Sequence, residues 1–298
     1  MQRQLLASGT CQLCLRVYES ATPARASVVI GGAMGVRQDY YAPFAEWLSG
    51  QGFRVTTFDY RGSGESLPGT PDGSLRGFRA DLFDWASDYD AVVASAKSAL
   101  PDAPLYLLGH SLGAQLPGFL KNQHQVDGLV SIAAGSGYWR DNAPQLKRMV
   151  LYFWYVLVPL ATRLCGYFPG RRLRKVGDLP AGVMLQWRKW CLNPLYSVGA
   201  EGESARLAYA QARFPVQALS ITDDELMTWR GTQNLINLYS GSSRSFERIT
   251  PADLGVKRIG HFGFFRHQFR QNLWPHTVQI LERMRQARPA AGVPGTTA

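Results

Sequence analysis

The chain has 298 residues, 46% of them hydrophobic and 18% charged, with a formal net charge of +10. That length accommodates one large domain or a domain carrying an insertion, and the composition excludes disordered and fibrous classes. The opening stretch, Met1 to Thr10, has one arginine and no long apolar run before a small-residue cleavage site, which argues against a secretory leader and for the cytoplasm.

Cys11 and Cys14 form a C-x-x-C, but they lie in an alternating stretch with Leu13, Leu15 and Val17 that reads as strand core rather than a metal or redox site. With Cys165 and Cys191 they are too few and too scattered for a disulfide framework. From about residue 26, apolar runs of strand length alternate with amphipathic stretches of helix length, the signature of a parallel sheet with crossover helices. Ala26 to Ile30 predicts a buried strand, and Gly31 to Gly35 the turn after it. Helices are expected over Asp39–Gly50 and Phe78–Leu100, strands over Phe53–Tyr60, Leu105–Leu108 and Val126–Ala134, and a helix-compatible run over Ser111–Lys121.

The alternation then stops for about eighty residues. It resumes with a strand at Val216–Thr222, a helix near Gly231–Tyr239, a strand near Phe246–Thr250 and a last helix over Pro275–Arg285. The interruption is aromatic, apolar and basic: between Arg140 and Trp190 stand ten basic residues against Asp141 and Asp178. Its Met149–Ala161 stretch holds thirteen uncharged residues, whereas a bilayer span needs about 20, so a buried or interfacial helix is expected. The predicted organisation is an α/β core over residues 1–135 and 210–286, a helical cap insertion over 136–209, and a disordered tail over 287–298.

Gly109-His110-Ser111-Leu112-Gly113 fits G-x-S-x-G, in which a serine on a strained strand-to-helix turn presents its hydroxyl only if the flanking residues are too small to obstruct neighbouring backbone. A serine hydroxyl needs a base, normally a histidine oriented by a carboxylate. Of the five histidines, His110 should point away from the hydroxyl, while His124 lies just past the helix-compatible run after Ser111 and His276 within the last helix, where surface positions are usual. His261, between Gly260 and Phe262 in a loop after the final strand, can reach the carboxyl edge of the sheet, with His267 in reserve. The strand ending in Thr222 runs into Asp223-Asp224-Glu225, and Asp224 is preferred to Asp223 as the orienting acid. Two amides should receive the oxyanion: Leu112, and either Ala33 or Met34 in the glycine-rich turn. No cofactor and no metal are called for.

Three segments carry a resemblance: Gly31-Gly32-Ala33-Met34-Gly35, Phe58 to Ser66, and Gly109 to Gly113. They resemble the α/β-hydrolase superfamily over about residues 26 to 286, in the branch of monoacylglycerol lipases and serine-aminopeptidase-like hydrolases. The resemblance implies the roles given above for Ser111, Asp224 and His261, and it implies no substrate. The usual His-Gly after the first buried strand is Gly31-Gly32 here, and the glycine often found after Gly113 is Ala114. The expected chemistry is cleavage of a carboxylic ester with an apolar acyl chain; acyl transfer, thioester or peptide cleavage, and a non-catalytic ligand cup are the alternatives. The basic cap suggests contact with anionic membrane or guidance of acidic substrates rather than nucleic-acid binding. Oligomeric state is unreadable from sequence.

Overall fold

The structure, a computed structural model, describes residues 1–67 and 74–287. Eight strands form one sheet: β1 (Gln2–Ser8), β2 (Cys11–Tyr18), β3 (Ser27–Gly31), β4 (Arg54–Phe58), β5 (Leu105–His110), β6 (Gly128–Ile132), β9 (Val216–Ile221) and β10 (Arg244–Ile249). Two short strands, β7 (Tyr167–Phe168) and β8 (Leu179–Pro180), pair as a separate hairpin. The sheet order is β1-β2-β4-β3-β5-β6-β9-β10, antiparallel across β1, β2 and β4 and parallel from β4 to β10. This is the largely parallel sheet expected from the alternation, in the α/β-hydrolase fold class that the resemblance implies. Strand β1 was not anticipated, because its residues show no alternation of apolar and polar types: Gln2 to Leu5 and Ala7 are exposed and only Leu6 and Ser8 turn inward.

Helices α1 (Ala42–Gly50), α2 (Leu82–Ala99), α8 (Trp229–Ile236) and α9 (Leu273–Ala287) flank the sheet. Successive side chains of a strand face opposite sides, so each strand feeds two cores. Val29, Leu107, Leu129 and Ala218 pack toward Trp85, Tyr89 and Val93 of α2. Val28, Ile30, Leu108, Val130 and Leu219 pack toward Phe44 and Leu48 of α1 and Trp274 and Ile280 of α9. Helix α2 starts four residues later than its apolar pattern suggests, because Asp81 accepts from the Phe83 and Asp84 amides while Asp84 accepts from the Asp81 amide, a reciprocal cap that fixes the first turn.

Between β6 and β9 the chain runs through α3 (Pro144–Tyr152), α4 (Val158–Cys165), the β7–β8 hairpin, α5 (Ala181–Leu192), α6 (Tyr196–Glu201) and α7 (Glu203–Gln211). The apolar stretch from Met149 is helical, as expected, with a π turn over Phe153–Leu157 between α3 and α4. Pro159 has no amide to offer to Tyr155, and widening the preceding turn relieves the clash of its ring with that carbonyl. No helix among the described residues is long and apolar enough to cross a membrane. Of the predicted tail, Ala287 closes α9 and residues 288–298 lie outside the described residues.

Candidate active site

The reversal of strand order places β3 between β4 and β5, and ligands of open α/β sheets bind at the carboxyl ends of strands beside such a switch. In the register of β3 with β5, Gly31 lies opposite Gly109, so the Gly31–Gly35 turn and the serine turn leave the sheet side by side. Ser111 takes φ +52°, the left-handed region that side chains ordinarily avoid, and is 7% exposed. The glycines are obligatory for packing: a Cβ on Gly109 would fall 2.5 Å from the Ala114 nitrogen, and one on Gly113 would overlap the Gly31 carbonyl oxygen.

A continuous α-helix after the serine was expected, but the chain forms two 3-10 turns, Ser111–Ala114 and Leu116–Phe119. Pro117 breaks the α ladder by withholding its amide from Gly113. Tyrosine hydroxyls partner the carbonyls left free: Tyr239 Oη donates to Ala114 O at 2.7 Å and Tyr209 Oη to Gln115 O at 2.6 Å. Tyr196 Oη reaches the Gln115 side chain at 2.7 Å.

Asp224 and His261 come together from the two ends of a loop system spanning β10. His261 Nδ1 lies 2.8 Å from Asp224 Oδ2, with both side chains 2% exposed, and Asp224 Oδ1 accepts from the Leu226 and Met227 amides at 2.8 Å each. The neighbouring carboxylates grip the histidine loop by its backbone. Asp223 accepts from the Ile259 and Gly260 amides at 2.9 and 3.1 Å, and Glu225 accepts from the His261 amide at 3.0 Å. Partial burial of Glu225 works against its charge, yet the His261 amide and Arg258 hold its carboxyl below the usual range. Gly260, at φ +67°, lets the loop turn against Glu225.

His110 ties this loop to the serine turn. Its Nε2 is 3.0 Å from the His261 carbonyl oxygen, and the two imidazole centroids are 5.2 Å apart. A carbonyl only accepts, so Nε2 of His110 carries the proton and Nδ1 accepts from Tyr41 Oη at 2.9 Å. Burial, reinforced by the nearby His261, pushes the His110 pKa well below its ordinary value and keeps it neutral. Tyr41 Oη in turn accepts the Ala33 amide at 2.8 Å. Of the two amides considered in the glycine-rich turn, that of Ala33 is therefore occupied, while among the described residues no acceptor takes that of Met34. No hydrogen bond joins the Ser111 hydroxyl to the His261 ring.

The other histidines are placed elsewhere. His124 is exposed, His267 is exposed against Trp274, and His276 pairs with Glu247 at 2.8 Å. The roles of Tyr41, His110, Asp223 and Glu225 left no mark in the sequence beyond the run of three acidic residues. Below the site Asp59 accepts from Gln38 and Glu65, and the buried Arg61–Asp88 pair, 2.6 Å apart, braces the following loop. Among the described residues, no group of three or more His, Cys, Asp or Glu is placed to hold a metal ion.

Comparison with known proteins follows the same lines. A stretch of 102 residues is 37% identical to the lysophosphatidylserine lipase ABHD12 of Mus musculus; the match spans 32% of this chain and only 22% of that relative's length. A 78-residue stretch is 40% identical to the Gallus gallus enzyme of the same name, over 25% of this chain and 17% of that one. A soluble variant of monoglyceride lipase from Saccharomyces cerevisiae superposes with a TM-score of 0.68 at 16% identity, covering 95% of this chain and 94% of that one. A carboxyl esterase from Bacillus coagulans gives 0.66 at 12% identity, covering 95% and 98%. The family model described as serine aminopeptidase, S33, matches residues 22–250, and the chain belongs to that family of α/β-hydrolases.

Proposed function

We propose that the protein is a serine hydrolase that cleaves a carboxylic ester through an acyl-enzyme. Ser111 Oγ attacks the acyl carbon while His261 Nε2 takes its proton, and Asp224 holds the imidazole with Nδ1 protonated and stabilises the imidazolium. The Leu112 and Met34 amides receive the oxyanion. His261 returns the proton to the leaving alcohol, and water then releases the acyl group by the same steps in reverse order. The observation that carries this reading is the 2.8 Å contact of His261 Nδ1 with Asp224, held beside the strained serine turn through His110. The unbonded Ser111 hydroxyl is compatible with it, because catalytic hydrogen bonds often tighten only when substrate arrives.

The insertion supports an ester with an apolar acyl chain. Trp154 is buried with its ring 5.1 Å from that of Trp187, and Phe153 is half-buried against Phe168, while Tyr152 and Leu151 face outward. Fluorophosphonate labelling and hydrolysis of p-nitrophenyl esters of increasing chain length test the assignment. Ser111→Ala is expected to abolish both; labelling that persists in the variant would sink it.

A second element of this reading concerns where the substrate is met. Met149, Tyr152, Val156, Leu160 and Leu164 are 47–66% exposed and recur at helical spacing along α3 and α4, with Lys147 and Arg163 exposed among them. An apolar stripe with flanking cations suits an anionic bilayer surface. Co-sedimentation with vesicles should then rise with anionic lipid content and fall with salt; binding indifferent to both would remove this element.

A further inference from the structure

The insertion is laced to the loop of the triad acid at its root. Residues 141–145, which lead into α3, run antiparallel to residues 225–228 and make three rungs with them. Gln145 Nε2 donates to the Glu225 carbonyl at 3.2 Å, the Ala143 amide to the Leu226 carbonyl at 3.3 Å, and the Thr228 hydroxyl to the Asp141 carbonyl. Residues 222–228 form no helix or strand, so the geometry of this loop is set by the bonds it makes outward. Two of its peptide groups are used at both ends. A peptide unit is planar, so gripping the Glu225 carbonyl orients the Leu226 amide of the same unit, and gripping the Leu226 carbonyl orients the Met227 amide. Those are the two amides that donate to Asp224 Oδ1.

Bonds of 3.2 and 3.3 Å are long enough to leave such a ladder slack, and Asp141 supplies its fixed point. The Asp141 side chain is 3% exposed, with Oδ2 accepting from Asn234 Nδ2 at 2.7 Å and Oδ1 3.1 Å from Arg230 Nε. Arg230 and Asn234 stand one turn apart on α8. That helix is itself fastened to the core: Leu235 and Ile236 are fully buried, Thr232 Oγ1 donates to the Ala134 carbonyl at 2.8 Å, and the Ser136 amide donates to the Gly231 carbonyl at 2.8 Å. Burying a carboxylate is costly unless it is paired and hydrogen-bonded. Asp141 is both, yet its carboxylate bonds to neither Asp224 nor His261.

Resting on the serine-hydrolase reading, we infer that Asp141 is a positioning residue for the proposed triad acid. Its carboxylate pins the root of the insertion to α8. The root grips the Glu225 and Leu226 carbonyls, and the far ends of those peptide units aim Asp224 at His261 Nδ1. The insertion thereby does more than cover the site, since its first residues complete the frame in which the acid is held.

Steady-state kinetics on a short p-nitrophenyl ester test the assignment. Asp141→Ala is expected to lower kcat about tenfold with KM within about twofold, because the acid is misaimed while the substrate pocket is kept. Gln145→Ala removes one rung from an exposed position and should lower kcat about threefold. Asn234→Asp sets a second carboxylate against Asp141 and should cost about as much as Asp141→Ala; adding Asp141→Asn restores a complementary pair and should return kcat to within about twofold of the wild type. If Asp141→Ala does not fold, the Gln145 and Asn234 variants decide. Unchanged kcat per folded molecule, a loss confined to KM, or a double variant no better than Asn234→Asp alone overturns the inference. A spectroscopic readout separates it from the reading beneath. In histidine-labelled protein, with His261→Gln for assignment, the His261 Nδ1 proton should resonate far downfield in the wild type and move upfield in Asp141→Ala and Asn234→Asp. If the wild type turns over no ester, that shift upholds the positioning role and sinks only the hydrolase reading, whereas an unchanged resonance sinks the positioning role itself.

Discussion

At the carboxyl edge of the sheet, Asp224 and His110 are at least nine-tenths buried and each uses both of its side-chain polar atoms, while the glycines around Ser111 leave no room for a methyl group. Along the outside of α3 and α4 apolar side chains stand exposed, and at the tip of the β7–β8 hairpin Arg172, Arg174 and Lys175 are exposed with no carboxylate within 4 Å among the described residues. The contrast separates two tasks. Reactive groups need fixed geometry, which close packing and satisfied hydrogen bonds supply. Groups that meet a substrate or a surface must remain unsatisfied until it arrives.

The largest expected effect tests the first region. Asp224→Asn should lower kcat about 10⁴-fold with a small change in KM, because an amide favours the wrong imidazole tautomer. Asp223→Asn, which weakens only backbone bonds to the loop, should cost about tenfold or less; equal losses in steady-state kinetics would break the distinction between the two acids. Gly113→Ala should destabilise the fold by about 3 kcal/mol or more in chemical denaturation, since the overlap is with backbone and no side chain can rotate away.

Tyr41→Phe comes next. Removing the hydroxyl orphans the Ala33 amide and His110 Nδ1, and kcat is expected to fall about tenfold with KM unchanged. A similar loss in KM alone would make Tyr41 a matter of substrate binding rather than of site geometry.

Acidity offers a finer probe. His110 is neutral when folded and its folded pKa is depressed, so below its unfolded value of about 6.5 the unfolded chain binds the extra proton first. Its contribution to stability is complete above that pH and is lost as pH falls, by up to about 1.4 kcal/mol per pH unit until the folded form also protonates. Urea titrations from pH 7 to 5 should show this decline, and a shallower one for His110→Gln. The smallest effect belongs to the second region: Leu160→Ser with Leu164→Ser should change stability by about 0.5 kcal/mol or less and leave turnover of a water-soluble ester unaltered, while vesicle binding drops.

How much of this was readable from residue order follows the same division. The strained turn at Ser111 was legible because it demands small residues at fixed offsets, and the meeting of Asp224 with His261 because chain order and glycine-flanked loops narrow the choice. The sheet was legible from apolar runs, whereas β1 carries no alternating pattern and the helix after Ser111 gave way to Pro117. Tyr41, His110 and Glu225 were not recoverable as parts of the site. Their partners lie 8 to 151 positions away, and a buried hydrogen bond leaves no periodicity in the chain.

The tyrosines that close the serine turn carry a consequence for the order in which the molecule is made. Tyr196, Tyr209 and Tyr239 follow their partners at residues 114 and 115 by 81 to 125 positions. During synthesis, which runs from the amino end, the carbonyls of that turn stay hydrated until all three have left the ribosome. His261 emerges later still. The proposed nucleophile is therefore among the last features of the nascent polypeptide to mature, and a truncated translation product would carry Ser111 without the residues proposed to act with it.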